Sequence, residues 1–145
     1  MREFSSDGEP ISRNAPYGAV IVIFKKITGE ILLLKRKKCT NNKWLWGPPY
    51  GSRKPFEDID QCAIRELYEE VSVSPELVKV TEKEQWHLYV GFMEDNQLVN
   101  LSEEHDEFLW VSERALKEYI GNDIILFQLK LAIEYLGRKS NDNFG

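Results

Sequence analysis

The chain is predicted to fold as an α/β layered domain, and three observations predict it. AVIVIF at 19–24 is a continuous apolar, β-branched run of the kind that forms a buried strand. WHLYVGFM at 86–93 is a second, more aromatic strand pattern. Two segments, 59–71 and 123–136, have amphipathic helical spacing. Helices interleaved with strands pack as layers on a sheet. A length of 145 residues fits one domain, able to bury roughly two-thirds of the surface its unfolded form exposes.

Taken in order, residues 1–14 are polar with Gly and Pro, and read as a tail that is flexible or pairs with an edge. After the strand at 19–24, Thr28-Gly29 turns the chain and Ile31 to Leu34 return as a second strand. Cys39 to Lys43 read as a polar loop, and a further loop leads to the helix from Ile59 to Val71. Ser74-Pro75-Glu76 has the pattern of another short helical turn. Strands follow within 78–93, then a strand or loop over Asn96 to Leu101, then a short strand from Phe108 to Val111. Ser112 is the expected cap of a helix reaching about Tyr119, and Asp123 to Leu136 form the last helix. There is no internal repeat and no linker. The domain is expected to span 15–137, between the 1–14 tail and a disordered polar tail at 138–145.

Composition removes several function classes. With 42% hydrophobic and 30% charged residues, the chain has no apolar run near the ~18 residues that cross a bilayer. MREFSSDGEPISRNAP lacks the apolar core of a secretory signal. Cys39 and Cys62 have no metal-binding spacing, so two free structural thiols in a reducing, cytoplasmic setting are expected. The net charge of −5 argues against long duplex nucleic acid, which needs a broad basic surface. Neither a membrane nor long nucleic acid is an expected partner. His87 and His105 lack metal-like partners at useful spacing and read as surface or core residues.

The informative segment is GSRKPFEDIDQCAIRELYEEVSV, residues 51–73. At about 100° per residue, Glu66, Glu69 and Glu70 share one helix face. The opposite face carries Ala63, Ile64, Leu67, Tyr68 and Val71, a stripe for burial against a sheet. Like charges at these spacings cost roughly 0.2–0.5 kcal/mol per pair in an isolated helix. A hard divalent cation such as Mg²⁺ or Mn²⁺ would offset that repulsion, because the donors are all oxygens. A solvated acidic face is the other reading of the three glutamates taken alone.

The surrounding spacing decides between them. Gly51, five residues, Glu57, seven residues, then Arg65-Glu66-Leu67-x-Glu69-Glu70 and apolar Val73 resembles the Nudix box, G-x5-E-x7-R-E-U-x-E-E-x-G-U with U bulky and aliphatic, the signature of the Nudix hydrolases. The one departure is Ser72, where the family has its second glycine and a left-handed turn costs other residues of order 1 kcal/mol. Upstream, Trp46-Gly47-Pro48-Pro49-Tyr50-Gly51 is similar to the family's W-x-x-P-G-G, with Tyr50 for the first paired glycine. Downstream, Glu107-Phe108-Leu109-Trp110-Val111 is similar to an E-x-x-W-V segment that gives many relatives another acidic ligand or a base. The similarity runs from about Ala15 to Leu136.

The resemblance implies an α/β/α Nudix sandwich with a mixed β-sheet, and hydrolysis of a nucleoside diphosphate linked to some other group. It implies Glu69 and Glu70 as ligands of Mg²⁺ or Mn²⁺, the Tyr50 main-chain carbonyl as another, and Glu66 as a ligand or the base. Glu107 competes for the role of base. Gly51, Glu57 and Arg65 become structural supports, the arginine fixing the glutamates. Basic residues at 35–38 with Lys43, Arg53 and Lys54 bracket the loop where a polyphosphate would lie. Arg36 and Arg53 are the candidate phosphate binders there, since the guanidinium fork suits phosphate. Asn122 resembles an asparagine that reads the purine edge, and it is also a favoured N-cap. Trp44, Trp46, Tyr50, Tyr17, Trp86 and Phe127 are candidates to stack on a base or to sit in the core. Tyr89 falls where dinucleoside polyphosphate hydrolases often carry a tyrosine.

The expected function is a Mg²⁺-dependent pyrophosphohydrolase turning a nucleoside or deoxynucleoside triphosphate into monophosphate and pyrophosphate. The alternatives are a dinucleoside polyphosphate hydrolase and a non-catalytic nucleotide-binding domain. Retention of Glu57, Glu66, Glu69 and Glu70 favours catalysis on a small nucleotide or nucleoside-diphosphate-linked substrate.

Overall fold

The computed structural model describes residues 10–36, 44–103 and 105–144, apart from the side chains of 106 and 139–144. The expectations for residues 1–9, Cys39 and the greater part of the basic run and its loop lie outside them. Among the described residues, seven strands form one mixed sheet. They are β1 (Gly18–Lys25), β2 (Ile31–Arg36), β3 (Trp46–Gly47), β4 (Tyr50–Ser52), β5 (Leu77–Glu82), β6 (Trp86–Met93) and β7 (His105–Val111). The helices are α1 (Ile59–Val71), α2 (Leu116–Tyr119) and α3 (Asp123–Phe144).

The sheet runs β3-β2-β1-β6-β5, with β4 on β1 and β7 on β2. β1 and β6 are parallel along Gly18–Lys25 and Trp86–Met93, which accounts for the apolar continuity of both runs: a central strand is covered on both faces. Alternation along β1 splits the core. Ala19, Ile21 and Ile23 pack with Cys62, Ala63, Leu67 and Val71 of α1. Val20, Val22 and Phe24 pack with Leu116, Ile120, Leu129 and Ala132 of the α2–α3 layer. The result is the expected three-layer α/β/α sandwich.

Several local expectations differ. Ser74 to Glu76 are irregular and lead into β5, whereas Asn96 to Leu101 take the loop form, one of the two expected for them. That irregular segment packs Val99 and Leu101 on the α1-side core and donates Asn100 N–H to Val71 O and Ser102 N–H to Glu70 O. It thus occupies carbonyls that the end of α1 leaves over. β7 starts at His105, earlier than Phe108, because pairing with β2 extends past the apolar residues. Ser112 makes no side-chain cap, and the chain enters α2 through a 3₁₀ turn. α3 continues from Leu136 through the polar residues to Phe144, where the sequence predicted a disordered tail.

Candidate active site

α1 is defined at both ends by backbone chemistry. Asp58 is its N-cap, its side chain accepting from the amides of Asp60 and Gln61. Ser72 ends it at φ 60°, ψ 35°, its N–H bonding Tyr68 O, so the left-handed exit forms without the family's glycine. The buried face is centred on Cys62, Ala63, Leu67, Glu70 and Val71, while Ile64 and Tyr68 are exposed. The predicted opposition of acidic and buried faces is therefore corrected. Glu70 is only 5% exposed, so the acidic arc runs from solvent at Glu69 into the core boundary at Glu70.

Two features of the preceding loop make this possible. Gly51 on β4 lies so close to Glu66 that a Cβ there would overlap its carboxyl group. The missing side chain is thus the space that Glu66 fills. Arg65 then gathers the acids. Its Nε and Nη2 make a bidentate pair with Glu57 at 2.8 and 2.9 Å, and Nη1 reaches Glu66 Oε1 at 2.8 Å and Glu69 Oε2 at 3.1 Å. Nη2 also donates to Ser52 O at 3.1 Å, tying α1 to β4. The hydrogen bonds from Arg65 hold the Glu57 carboxyl below the usual carboxylate range, and the Glu57 bond pushes the guanidinium up so that it stays charged.

The side chains of Glu66 and Glu69 are 17% and 54% exposed. Together with Glu70 they offer oxygen donors only, which suits a hard divalent cation. Among the described residues, no three acidic, imidazole or thiol side chains are already closed around an ion-sized point. Arg65 instead takes one oxygen from each of Glu66 and Glu69. The Gly51 cradle and the buried Glu70 carboxyl, an oxygen donor at the inner end of the set, nevertheless fit the cation. Tyr50 stands next to them. Pro49 O accepts from Ile21 N–H, so alternation along β4 turns the Tyr50 carbonyl away from β1. Cys62 lies under this site with Sγ 3.9 Å from Gly51 O, and burial pushes its thiol up to about 12, an inert structural cysteine.

Other predicted residues are elsewhere. Glu107 pairs with Lys35 at 3.5 Å. By alternation it shares the sheet face of Leu109 and Val111, on the α3 side, away from the α1 glutamates. Arg36 is at the exposed end of β2 opposite His105. Asn122 Oδ1 accepts from Ile125 N–H at 3.0 Å, an N-capping bond for α3. Arg53 is turned toward the N-terminal segment, with hydrogen bonds to Pro16 O, Asn14 O, Ser12 Oγ and Glu57 O. Trp46 stacks edge-on against Tyr119 and Trp86 joins the α3-side core. Trp44, Tyr50 and Phe127 stay partly exposed. Tyr89 is buried with its hydroxyl donating to Asp60, so it is a core tyrosine.

Sequence reasoning missed Phe56. It sits in the β4–α1 loop at φ 65° with its side chain fully exposed. A non-glycine residue in that region costs roughly 1 kcal/mol, and exposure returns nothing for it. The signal was available, since position 56 directly precedes Glu57 at a turn.

An acid set gathered by one arginine at the mouth of a three-layer sandwich defines the class of protein. A family model described as the NUDIX domain matches residues 15–128, and the chain belongs to the Nudix family of hydrolases. An RNA pyrophosphohydrolase of Roseobacter denitrificans is 37% identical over 82 residues, covering 56% of this chain and 50% of that protein. The chain thus spans about half the length of that curated relative. Among solved structures, the C. elegans Ap4A hydrolase binary complex matches with TM-score 0.65 at 24% identity, over 83% of this chain and 96% of its own. The E. coli dihydroneopterin triphosphate pyrophosphohydrolase matches with TM-score 0.69 at 16% identity, over 85% and 99%. At such identities these likenesses establish the fold. Among the described residues no helix is long and apolar enough to cross a membrane.

Proposed function

We propose that the chain is a Mg²⁺- or Mn²⁺-dependent pyrophosphohydrolase that converts a nucleoside or deoxynucleoside triphosphate to monophosphate and pyrophosphate. The observation that carries this reading is the gathering of Glu57, Glu66 and Glu69 on Arg65 beside buried Glu70 and the Gly51 cradle. Family membership and the pyrophosphohydrolase name of the Roseobacter denitrificans relative support it.

Glu66, Glu69, Glu70 and the Tyr50 carbonyl would hold the cation. When bound, it neutralises phosphate oxygens and lowers the pKa of a coordinated water. The protein's residues do the rest. Arg65 keeps the carboxylates in fixed rotamers, which spares them reorganisation during the reaction. The water oxygen bonds to phosphorus, its proton passes to a glutamate of α1, and the phosphoanhydride oxygen leaves with pyrophosphate. Base duty falls to Glu66 or Glu69, since alternation carries Glu107 to the other face of the sheet. Arg36, at the exposed end of β2, is the proposed phosphate-holding arginine. The Tyr89 hydroxyl is engaged by Asp60, which weakens its support for a dinucleoside polyphosphate substrate.

The test is a panel of nucleoside triphosphates, dinucleoside polyphosphates and a 5′-triphosphorylated RNA oligonucleotide, assayed with Mg²⁺ and Mn²⁺ and resolved by phosphorus NMR. The expected products are monophosphate and pyrophosphate from a mononucleotide. Preference for a dinucleotide or RNA would replace the substrate, and binding without turnover would remove catalysis.

A further inference from the structure

Arg53 occupies the loop position from which a basic residue could meet a polyphosphate, yet its side chain is committed elsewhere. Nε donates to Pro16 O at 2.8 Å, Nη2 to Ser12 Oγ and Asn14 O at 2.8 Å each, and Nη1 to Glu57 O at 2.9 Å. All three nitrogens of the guanidinium are used. The backbone repeats the tie: Ser12 N–H bonds Arg53 O at 2.6 Å and Arg53 N–H bonds Tyr17 O at 2.8 Å. Ser12 is buried, and its Oγ also donates to Asn14 O and accepts from Asn14 N–H. Residues 12–17 therefore form a closed strap around one guanidinium. Ser12 and Asn14 precede residues 15–128, which the family model matches.

The fourth acceptor gives the strap a role. Glu57 is gripped from two sides, its carbonyl by Arg53 and its carboxylate by Arg65. Between them lies Phe56 in its left-handed conformation, which an unrestrained loop would abandon. The turn is closed by Glu57 N–H to Lys54 O at 3.1 Å and Lys54 N–H to Glu57 Oε1 at 3.0 Å. From Glu57 the chain of contacts passes to Arg65 and on to Glu66 and Glu69. We propose that Arg53 is a positioning residue through which the Ser12–Tyr17 strap sets the place of Glu57, and so the alignment of the glutamates of α1. Its function is alignment of the acid set and not contact with phosphate. The inference rests on the reading of that set as the divalent-cation site.

The test uses the full chain with Arg53→Ala, Arg53→Lys and Ser12→Ala. Mn²⁺ uptake by calorimetry should weaken about tenfold in Arg53→Ala, the range seen when a residue supporting metal ligands is removed. Turnover should fall by a similar factor with nucleotide KM within about twofold. Lysine keeps the charge and cannot span four acceptors, so Arg53→Lys should resemble Arg53→Ala. Ser12→Ala, which removes one of the four acceptors of Arg53 together with the hydroxyl's two bonds to Asn14, should weaken uptake about two- to threefold and speed hydrogen exchange of the Lys54 and Glu57 amides in metal-free protein. Wild-type Mn²⁺ affinity and turnover in Arg53→Ala would overturn the proposal. So would a raised KM that lysine rescues, the signature of a phosphate contact. Should Arg53→Ala fail to fold, unchanged uptake and unchanged exchange in Ser12→Ala would overturn it alone. Absence of Mn²⁺ uptake by the wild type would sink the metal-site reading instead, and the exchange rates would still judge the strap.

Discussion

Arg65 and Arg53 both end on Glu57, and they hold it by different chemistry. Arg65 binds the carboxylates of Glu57, Glu66 and Glu69, whereas Arg53 binds the carbonyls of Pro16, Asn14 and Glu57 and the Ser12 hydroxyl. The first network is built of charges, so it responds to pH, to a cation and to loss of a carboxylate. The second joins one permanent cation to neutral acceptors and responds only to geometry. A loop between two such grips is fixed in position on one side and adjustable in charge on the other, as a site that exchanges a cation and a polyanion requires.

The largest effect expected on the charged side is from Glu69→Gln or Glu70→Gln. Each keeps the shape and removes one negative charge, and turnover should drop roughly 10²- to 10⁴-fold. The two should part in stability. Glu70 is buried, so its amide relieves a desolvated charge and the metal-free protein should melt no lower than wild type. Exposed Glu69 should show little change in melting. Wild-type turnover in both would take them out of the site.

Gly51→Ala comes next, and it attacks the geometry without touching a charge. The new methyl would occupy the place of the Glu66 carboxyl, so Glu66 must leave its rotamer and its bond to Arg65. A loss of about 10–100-fold in turnover is expected, the range for displaced support around a metal site. An unchanged rate would mean that Glu66 does not act from this position.

The response to acid separates the two grips further. Among the described residues four groups have depressed values in the fold; His87 is pushed down by burial and Asp60 by its hydrogen bond from Tyr89, and two others bear on the grips. His105 is pushed down from 6.5 to about 4 by burial and by Arg36, and Glu57 is held below 4.5 chiefly by its hydrogen bond from Arg65. For either group the unfolded chain binds a proton more readily than the fold does, so stability falls as pH falls. The His105 contribution is complete above pH 6.5 and is lost between 6.5 and about 4; the Glu57 contribution is complete above 4.5 and is lost below it. Melting temperature of metal-free protein against pH should therefore decline in two stages. Arg65→Ala should shrink the second stage to the part that Asp60 contributes below 3.8, and Arg53→Ala should leave both stages in place at a lower baseline. A single decline unaffected by Arg65→Ala would show that the Glu57 pair carries no linkage.

What the sequence made legible follows the same division. Spacing alone put Gly51, Glu57, Arg65, Glu66, Glu69 and Glu70 into one loop and one helix, because those contacts are local and periodic. The central strands were legible because continuous apolar runs report burial on both faces. Arg53 was assigned to phosphate, Glu107 to the role of base and Asn122 to either a purine edge or a helix cap by their type and their neighbours in sequence, but each has a partner that is distant or competing. Arg53 turns to residues 12–16, Asn122 caps its own helix, and Glu107 is carried to the other face by strand alternation. The inward turn of Glu70 was hidden for a related reason: a helical wheel locates residues relative to each other, and only the absent Gly51 side chain and the 97–102 segment decide which arc meets the sheet.

The smallest effect sits at the two left-handed residues that bracket α1, Phe56 before it and Ser72 after it. Both cost backbone strain, yet only Ser72 is anchored by a helix-capping bond, to Tyr68 O at 2.9 Å. Ser72→Gly keeps that bond and relieves the strain, offset in part by the greater freedom of glycine in the unfolded chain. A gain of about 0.5–1 kcal/mol is expected, raising Tm by roughly 2–4 °C with turnover unchanged. Phe56→Gly should gain less, because the Arg53 and Arg65 grips on Glu57 already hold that turn closed and a glycine adds freedom next to a residue that must stay fixed. Equal gains at both positions would mean that the loop before α1 is no more constrained than the helix exit, and would weaken the contrast between a gripped loop and a merely capped one.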